Sequence, residues 1–314
     1  MAVNICILST DQAVDDRRLL DAARQRGHSA SLLNMRDINL ALSTHQPTMY
    51  AGDVDITEDF DVVIPRLNVG CSDYGINVLQ QFICSQTYVS ETPDSLRLGR
   101  DKLKCLQYLL AQGLPFPTTC IAFQPEGFSS LAQHTGFPVV VKLIDSTEGV
   151  GVFVAHTEKE LDNLARTFAR FGASYVIQSF IQEASGVDVR AFVVGNQVIA
   201  AMERHATDGD FRANVSLGAT AKPCELTAQE ERIVLASTQA IGINIAGVDL
   251  IRSQNGPLLL EINVSPDFTG KQGIEQVTGV DIAGAIIDFT VQQTQPYYAN
   301  HRLLQLCSDI QKEY

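Results

Sequence analysis

Basic residues are scarce in this sequence. Lys and Arg number 23 against 36 Asp and Glu, a formal net charge of −13. Binding to a phosphate backbone needs basic surface, so non-specific nucleic-acid binding is excluded. Long apolar runs are missing too; none approaches the ~18 residues of a membrane-spanning helix. The seven cysteines, at 6, 71, 84, 105, 120, 224 and 307, form no Cys-x-x-Cys and no Cys/His cluster. They read as reduced thiols of a cytoplasmic protein, not as zinc ligands or disulfides. No Gly-x-Gly-x-x-Gly follows the first apolar run; Ser9-Thr-Asp-Gln stands there instead. That excludes a nicotinamide or flavin dinucleotide site, and the lack of Gly-x-x-x-x-Gly-Lys-Ser/Thr excludes a P-loop. The N-terminus has neither a basic lead nor a cleavage pattern and reads as a first strand.

What is present is a globular composition, 45% hydrophobic and 19% charged over 314 residues. At about 150 residues per domain this suggests two or three units. The first hundred residues alternate strand and helix signals: strands at 5–8, 30–33, 62–64 (ended by Pro65) and 88–89, helices at 15–26 and 76–84. The pattern predicts an α/β layer on a parallel sheet. A helix is predicted over 94–112, closed by Gly113, with Pro115 and Pro117 marking a transition. Then follow helix 128–134, strand 138–144, a glycine-bearing loop, strand 152–155, helix 158–171 and strand 175–181. Capping boxes are expected at Thr157/Glu160 and Thr227/Glu230. Gly195-Asn196 signals a two-residue hairpin, and a second hairpin spans 246–263. A final helix is predicted at 279–292, followed by an amphipathic tail.

The second hairpin carries the sharpest chemistry. Alternation puts Val248 and Leu250 on one face of its first strand and Leu258, Leu260 and Ile262 on one face of its second. A shared apolar face sets Leu250 opposite Leu260 and Asp249 opposite Glu261, with Asn263 two residues on. This register predicts a three-residue loop, 254–256, with Gly256 in the left-handed region. The oxygen-bearing face reads either as a solvated strand face or as a site for a hard cation, Mg²⁺ or Mn²⁺. Opposed carboxylates repel, which favours the cation. Lys142 interrupts an apolar strand, where a lysine needs an anion or an open edge. Gly149-Val-Gly151 reads as a turn or, beside Lys142, as a phosphate-covering loop. Arg212 and Asn214 stand in a loop that by itself reads as solvated.

These pieces, in this order, resemble the ATP-grasp superfamily and, more narrowly, RimK-type glutamate ligases. The resemblance rests on Pro65-Arg66, Arg100-Asp-Lys-Leu103, Val140-Val-Lys-Leu143, Glu148-Gly-Val-Gly151, Gly186-Val-Asp-Val-Arg190, Glu203-Arg204, Gly209-Asp-Phe-Arg-Ala-Asn214, Ala246-Gly-Val-Asp249 and Glu261-Ile-Asn-Val-Ser-Pro266. It implies a pre-ATP-grasp α/β domain at 1–93, a central ATP-grasp lobe at 94–180, a C-terminal lobe at 181–295 and a helical tail at 296–314. Lys102 and Lys142 would hold ATP phosphates under the loop bearing Gly149 and Gly151. Ser179 and Phe180 would lie at the adenine hinge and Asp188 at the ribose. Arg212, Ala213 and Asn214 would meet phosphates and the reacting carboxylate. Asp249, Glu261 and Asn263 would bind two Mg²⁺ or Mn²⁺ ions. The implied chemistry activates a carboxylate as an acyl-phosphate, which an amine then attacks to give an amide and free phosphate. In the RimK-type family that amine belongs to glutamate, and the acceptor is a protein or peptide C-terminus, a ribosomal protein among the candidates. A cytoplasmic homo-oligomer without nucleic-acid or membrane partners is expected.

Arg66, Arg190 and Arg204, with Lys271 as an addition, are the candidate cations for glutamate's carboxylates, and Arg190, Arg204 and Arg212 are the catalytic candidates. Three stretches depart from the family pattern: Gln178-Ser-Phe-Ile181 at the hinge, Val215-Ser-Leu-Gly-Ala219 after Asn214, and the longer Asp267-Phe-Thr-Gly-Lys-Gln-Gly273. The last two lie where substrate would sit. They keep open a ligase for another amino acid or a small peptide. A non-catalytic nucleotide-binding regulator has Ser179 as its only support.

Overall fold

The computed structural model describes residues 2–43, 47–68, 72–122, 124, 126–144, 151–207, 209–215 and 218–312. Its N-terminal unit is β1 (Asn4–Ser9), α1 (Val14–Gln25), β2 (Ser29–Asn34), β3 (Ile38–Ala41), β4 (Thr48–Ala51), β5 (Val54–Asp55), β6 (Val62–Arg66), α2 (Ser72–Cys84) and β7 (Tyr88–Val89). The expected parallel sheet forms, in the order β2-β1-β6-β7. β1 and β6 are buried along almost their whole length, as continuous apolar runs in a parallel sheet should be. β6 runs through Pro65 to Arg66, past its predicted end. Its pairing with β7 stops at Val63, so one side of Pro65 is an edge that requires no N–H. The small antiparallel sheet β3-β4-β5 is an addition that the sequence reading did not contain.

The predicted helix 94–112 is two helices, α3 (Pro93–Arg100) and α4 (Lys102–Ala111). Asp101 leaves helical geometry at ψ 93° and its carboxylate caps α4 by accepting from the Lys104 amide. The break sets Lys102 at the first position of α4. Leu96, Cys105 and Leu109 pack into a core shared with the C-terminal sheet. A Cβ on Gly99 would lie 2.2 Å from Val264 Cγ1, so only glycine permits that approach.

The central lobe proper is β8 (Thr119–Cys120), α5 (Glu126–Thr135), β9 (Val139–Leu143), β10 (Val152–Ala155), α6 (Glu158–Arg170) and β11 (Tyr175–Ser179). Its antiparallel sheet, in the order β10-β9-β11-β8, carries its own core of Phe128, Val139, Val141, Leu161, Phe168 and Ile177. Thr157 caps α6, but the reciprocal half of the expected capping box is missing: Glu160 reaches one residue further back, to the His156 amide.

The C-terminal lobe is β12 (Val187–Val194), β13 (Gln197–His205), β14 (Thr220–Pro223), α7 (Ala228–Ile241), β15 (Ile245–Ser253), β16 (Gly256–Asn263), α8 (Ile274–Thr278) and α9 (Ile282–Lys312). The sheet runs β14-β13-β12-β15-β16. The Thr227/Glu230 capping box forms as predicted. The last helix starts later than predicted because Gly279 closes α8 in a left-handed conformation. It then continues through Pro296, so final helix and tail are one element. Val189, Ala191 and Val193 of β12 bury into a core with α2, α3 and α7, while Phe192 and Val194 bury into another with β1, α1 and α9. The N- and C-terminal units thus share two cores, whereas the central lobe stands on a third. Between them lies a cleft.

Candidate active site in the cleft between the lobes

The β15/β16 hairpin forms one face of the cleft. Asp249 pairs with Glu261, as alternation requires, but Leu250 pairs with Leu259 and Ser253 with Gly256. The turn is therefore two residues, Gln254-Asn255, and the expected loop 254–256 does not form. Gly256 has the positive φ, 112°, at the first position of β16. A β-bulge at Leu260 absorbs the extra residue. It also redistributes the apolar residues: Leu259 and Ile262 join Val248 and Leu250 in the core, while Leu260 faces the cleft beside Glu261.

Asp249, Glu261 and Asn263 come together. The Asn263 amide donates to Glu261 Oε1 at 3.3 Å and to Asp249 Oδ2 at 3.5 Å. Asp249 is buried and doubly held: Arg190 grips it as a fork (2.8 and 2.7 Å), and Arg204 Nη2 reaches Oδ2 at 2.9 Å. Burial alone would raise its pKa, but the two guanidinium charges override burial and hold the carboxyl below its usual range. Arg204, only 3% exposed, also forks onto Asp188 at 2.6 and 2.7 Å. Burial pushes Asp188 upward against that pairing. Arg204 is thus a cross-brace between two buried carboxylates on the cleft floor. The guanidinium that the sequence offered as a cation for glutamate's carboxylates is engaged here by the chain's own Asp188 and Asp249, and Asp188 gives Arg204 both of the oxygens expected to meet a ribose.

The opposite wall comes from the central lobe and α4. Lys142 and Val140 sit on β9, and Val152 sits on β10. Lys102 reaches the Leu143 carbonyl from the start of α4. Burial lowers the Lys142 pKa, opposed by the charge of Glu261 across the cleft and reinforced by that of Lys102. Gly151 ends the β9–β10 connection at φ +73°, where a Cβ would strike Leu143 at 2.7 Å. Gly149 lies outside the described residues. At the hinge, Ser179 lines the cleft and its Oγ donates to the Thr135 carbonyl, while Phe180 meets Phe211 edge-on. Arg212 is forked onto Asp210, with Ala213 and Asn214 beside it on the cleft lining. Pro117, Val140, Ile181, Ile251 and Leu260 belong to the apolar part of the cleft lining. Sequence reading missed Leu260, hidden by the bulge, and Asp210, whose Asp-x-Arg spacing to Arg212 was the available signal. Arg66 lies elsewhere: it is buried against Asp16 at 3.1 Å and over the Phe268 ring, and Lys271 is exposed in its loop.

Two carboxylates and an amide within mutual reach are a hard oxygen donor set, and Asp249 Oδ1, which accepts from Arg190 alone among the described contacts, keeps a lone pair. The Asn263 amide now turns its nitrogen to both carboxylates; a half-turn presents its oxygen instead. The residues therefore fit a divalent cation facing two lysines. Models of the RimK-like ATP-grasp domain and the RimK pre-ATP-grasp domain match residues 99–290 and 3–96.

The chain belongs to the RimK-like ATP-grasp family.

Relatives span almost all of it. A chain from Coxiella burnetii bearing the name probable alpha-L-glutamate ligase is 39% identical over 302 residues, 96% of this chain and 99% of the relative. One of the same name from Trichodesmium erythraeum is 40% identical over 290 residues, 91% and 95% of the two chains. Among solved structures, a RimK domain ATP-grasp protein from Sphaerobacter thermophilus matches with TM-score 0.66 and 25% identity, covering 92% of this chain and 99% of its own. The ATP-grasp ligase PsnB, solved with a precursor variant, Mg and ADP, matches with TM-score 0.71 at 19% identity, covering 92% and 98%, which shows the shared fold. This RimK-like ATP-grasp protein is accordingly an ATP-dependent ligase. No helix among its described residues is long and apolar enough to cross a membrane.

Proposed function

We propose that this ligase adds L-glutamate to the C-terminal carboxylate of a peptide or protein in the cytoplasm, with ribosomal proteins among the acceptors to test. One observation carries the reading: a single cleft sets Asp249, Glu261 and Asn263 on one wall against Lys142 and Lys102 on the other, with Arg212 at its margin. The triphosphate lies between these walls. Lys142 and Lys102 bind its oxygens, and the triphosphate charge opposes the burial that lowers the Lys142 pKa. Asp249, Glu261 and Asn263 would hold two Mg²⁺ ions, or Mn²⁺ in their place, which would screen charge on the transferring phosphoryl group. Arg190 and Arg204 fix the Asp249 carboxylate in one orientation. Arg212 and Asn214 orient the acceptor carboxylate for phosphorylation, and the glutamate amine then displaces phosphate from the acyl-phosphate. The lobes exclude the water that would hydrolyse that intermediate. Phe180 and the apolar lining accept the adenine, read by main chain because the Ser179 hydroxyl is engaged by the Thr135 carbonyl.

A second reading, ligation of another amino acid or a small peptide, is favoured by the loop 267–273, which is lengthened and tied to the N-terminal unit through Asp15 and Arg66. ADP release with glutamate, with other amino acids and with candidate peptides separates the two. Turnover that depends on glutamate and a peptide carboxylate supports the first, and turnover with another amino acid alone supports the second.

A further inference from the structure

β10 is the edge strand of the central sheet: among the described residues it pairs with β9 on one side and with no strand on the other. A shallow, open groove follows that free edge. Val152, Phe153 and Val154 form one bank, Asn163 and Leu164 of α6 another, and Phe211 and Arg212 the third. Phe153 is 40% exposed, unusual for a phenylalanine on a strand. The groove is continuous with the reaction cleft, because Val152, Phe211 and Arg212 line both.

We propose that this groove docks the acceptor, an extended peptide segment that adds to the edge of β10 and presents its terminal carboxylate to Arg212 at the mouth of the cleft. The inference rests on the acceptor being a peptide carboxylate, as proposed above. Three features select that occupant. An unpaired strand edge offers main-chain donors and acceptors that only another extended backbone matches in register. The banks are apolar with a polar rim at Glu160 and Asn163, suited to a segment of alternating apolar and polar side chains. Among the described residues lining the groove the cation is Arg212, which is forked onto Asp210 and stands where the groove opens into the cleft, and this sets the direction of the chain with its carboxylate innermost. Four residues of β10 span about 13 Å, so about four acceptor residues contribute.

The test uses the full chain with ADP and Mg²⁺, and a fluorescein-labelled peptide of alternating valine and threonine ending in a free glutamate. Fluorescence anisotropy gives its Kd for wild type, for Phe153→Glu and for Asn163→Trp, which fills the groove from an exposed helix position and places no demand on the core. Both variants should weaken peptide binding roughly tenfold and leave ADP affinity unchanged. The same peptide with a C-terminal amide should bind wild type more weakly. The proposal is overturned if wild type does not bind the peptide, if both variants bind it as wild type does, or if sedimentation shows a wild-type dimer that both variants lose, which would make the groove a self-interface. Mass spectrometry of the same mixtures with ATP and glutamate keeps the two readings apart. Peptide binding lost in the variants, with no glutamate added by wild type, upholds the groove and removes the glutamate reading. Glutamate added equally by all three proteins removes the groove and leaves the glutamate reading.

Discussion

Replacing Arg204 by alanine tests whether this residue braces the site or binds substrate. Its side chain is 3% exposed and makes three charge-assisted hydrogen bonds, two to Asp188 and one to Asp249, all between 2.6 and 2.9 Å. Removing one partner from a buried ionic network leaves an uncompensated charge and costs about 3–5 kcal/mol. That is a large share of a total stability of about 5–15 kcal/mol. Asp249 would keep Arg190 as its one ion-pair partner among the described residues, beside the long contact from Asn263, and its orientation toward Glu261 would loosen. Urea unfolding followed by circular dichroism should therefore show the full loss, and kcat should fall by at least about tenfold while the KM values for ATP and for amino acid change little and together. Arg204→Lys keeps the charge without the planar fork and should recover part of the stability. The reasoning is refuted if Arg204→Ala unfolds within about 1 kcal/mol of wild type while the amino-acid KM alone rises tenfold. Arg204 would then be the substrate anchor.

Other consequences follow from the same contacts. Glu261→Ala should retain the wild-type far-ultraviolet spectrum but lose on the order of a thousandfold in ADP release at saturating Mg²⁺, because charge screening is worth several kcal/mol; near-normal turnover would remove Glu261 from the cation site. Glu91 is buried where it accepts the Asn244 and Ile245 amides, and burial pushes its carboxyl up to about 8 from 4.5. A pKa raised on folding contributes stability below the unfolded value and loses it as pH rises through the folded one. The wild-type Tm should therefore fall between about pH 5 and pH 8, and Glu91→Gln should flatten that slope; an unchanged slope would place Glu91 outside the effect. Asp15→Ala removes the one carboxylate oxygen that accepts from the amides of both Phe268 and Thr269 at 2.8 Å. It should cost about 1–3 kcal/mol and speed hydrogen exchange at those two amides, whereas unchanged exchange would show that the loop is held by Phe268 packing alone.

Most of the elements could be read from sequence because local signals agreed with tertiary packing. The Thr227/Glu230 capping box opens α7 as expected, and the apolar runs of β1 and β6 matched a parallel sheet. The facing of Asp249 and Glu261 was legible for the same reason: alternation set against a buried face admits one register near the core. The errors in the site have one physical source. Both hairpins carry a bulge between turn and cleft, at Leu260 in β16 and at Ile199 in β13, and each shifts the register by one residue. Counting back from the two-residue turn at Gly195-Asn196 sets Asp188 opposite Glu203. The bulge sets it opposite Arg204, which creates the buried brace. Bulges leave no periodic signature, so the partners of Arg204 were hidden although every residue involved had been singled out. The break at Asp101 was hidden likewise, because an aspartate within an apolar helical pattern reads as a surface position until its cap is seen.

The central claim, glutamate addition to a peptide carboxylate driven by ATP, is tested most directly by mass spectrometry of a C-terminal peptide library incubated with the protein, ATP, Mg²⁺ and glutamate, with ADP measured in parallel. The account predicts peptides heavier by whole glutamyl residues, one ADP released for each, and neither product with Glu261→Ala. ADP released with glutamate while no peptide gains mass, or peptide mass gained from a different amino acid, would contradict it.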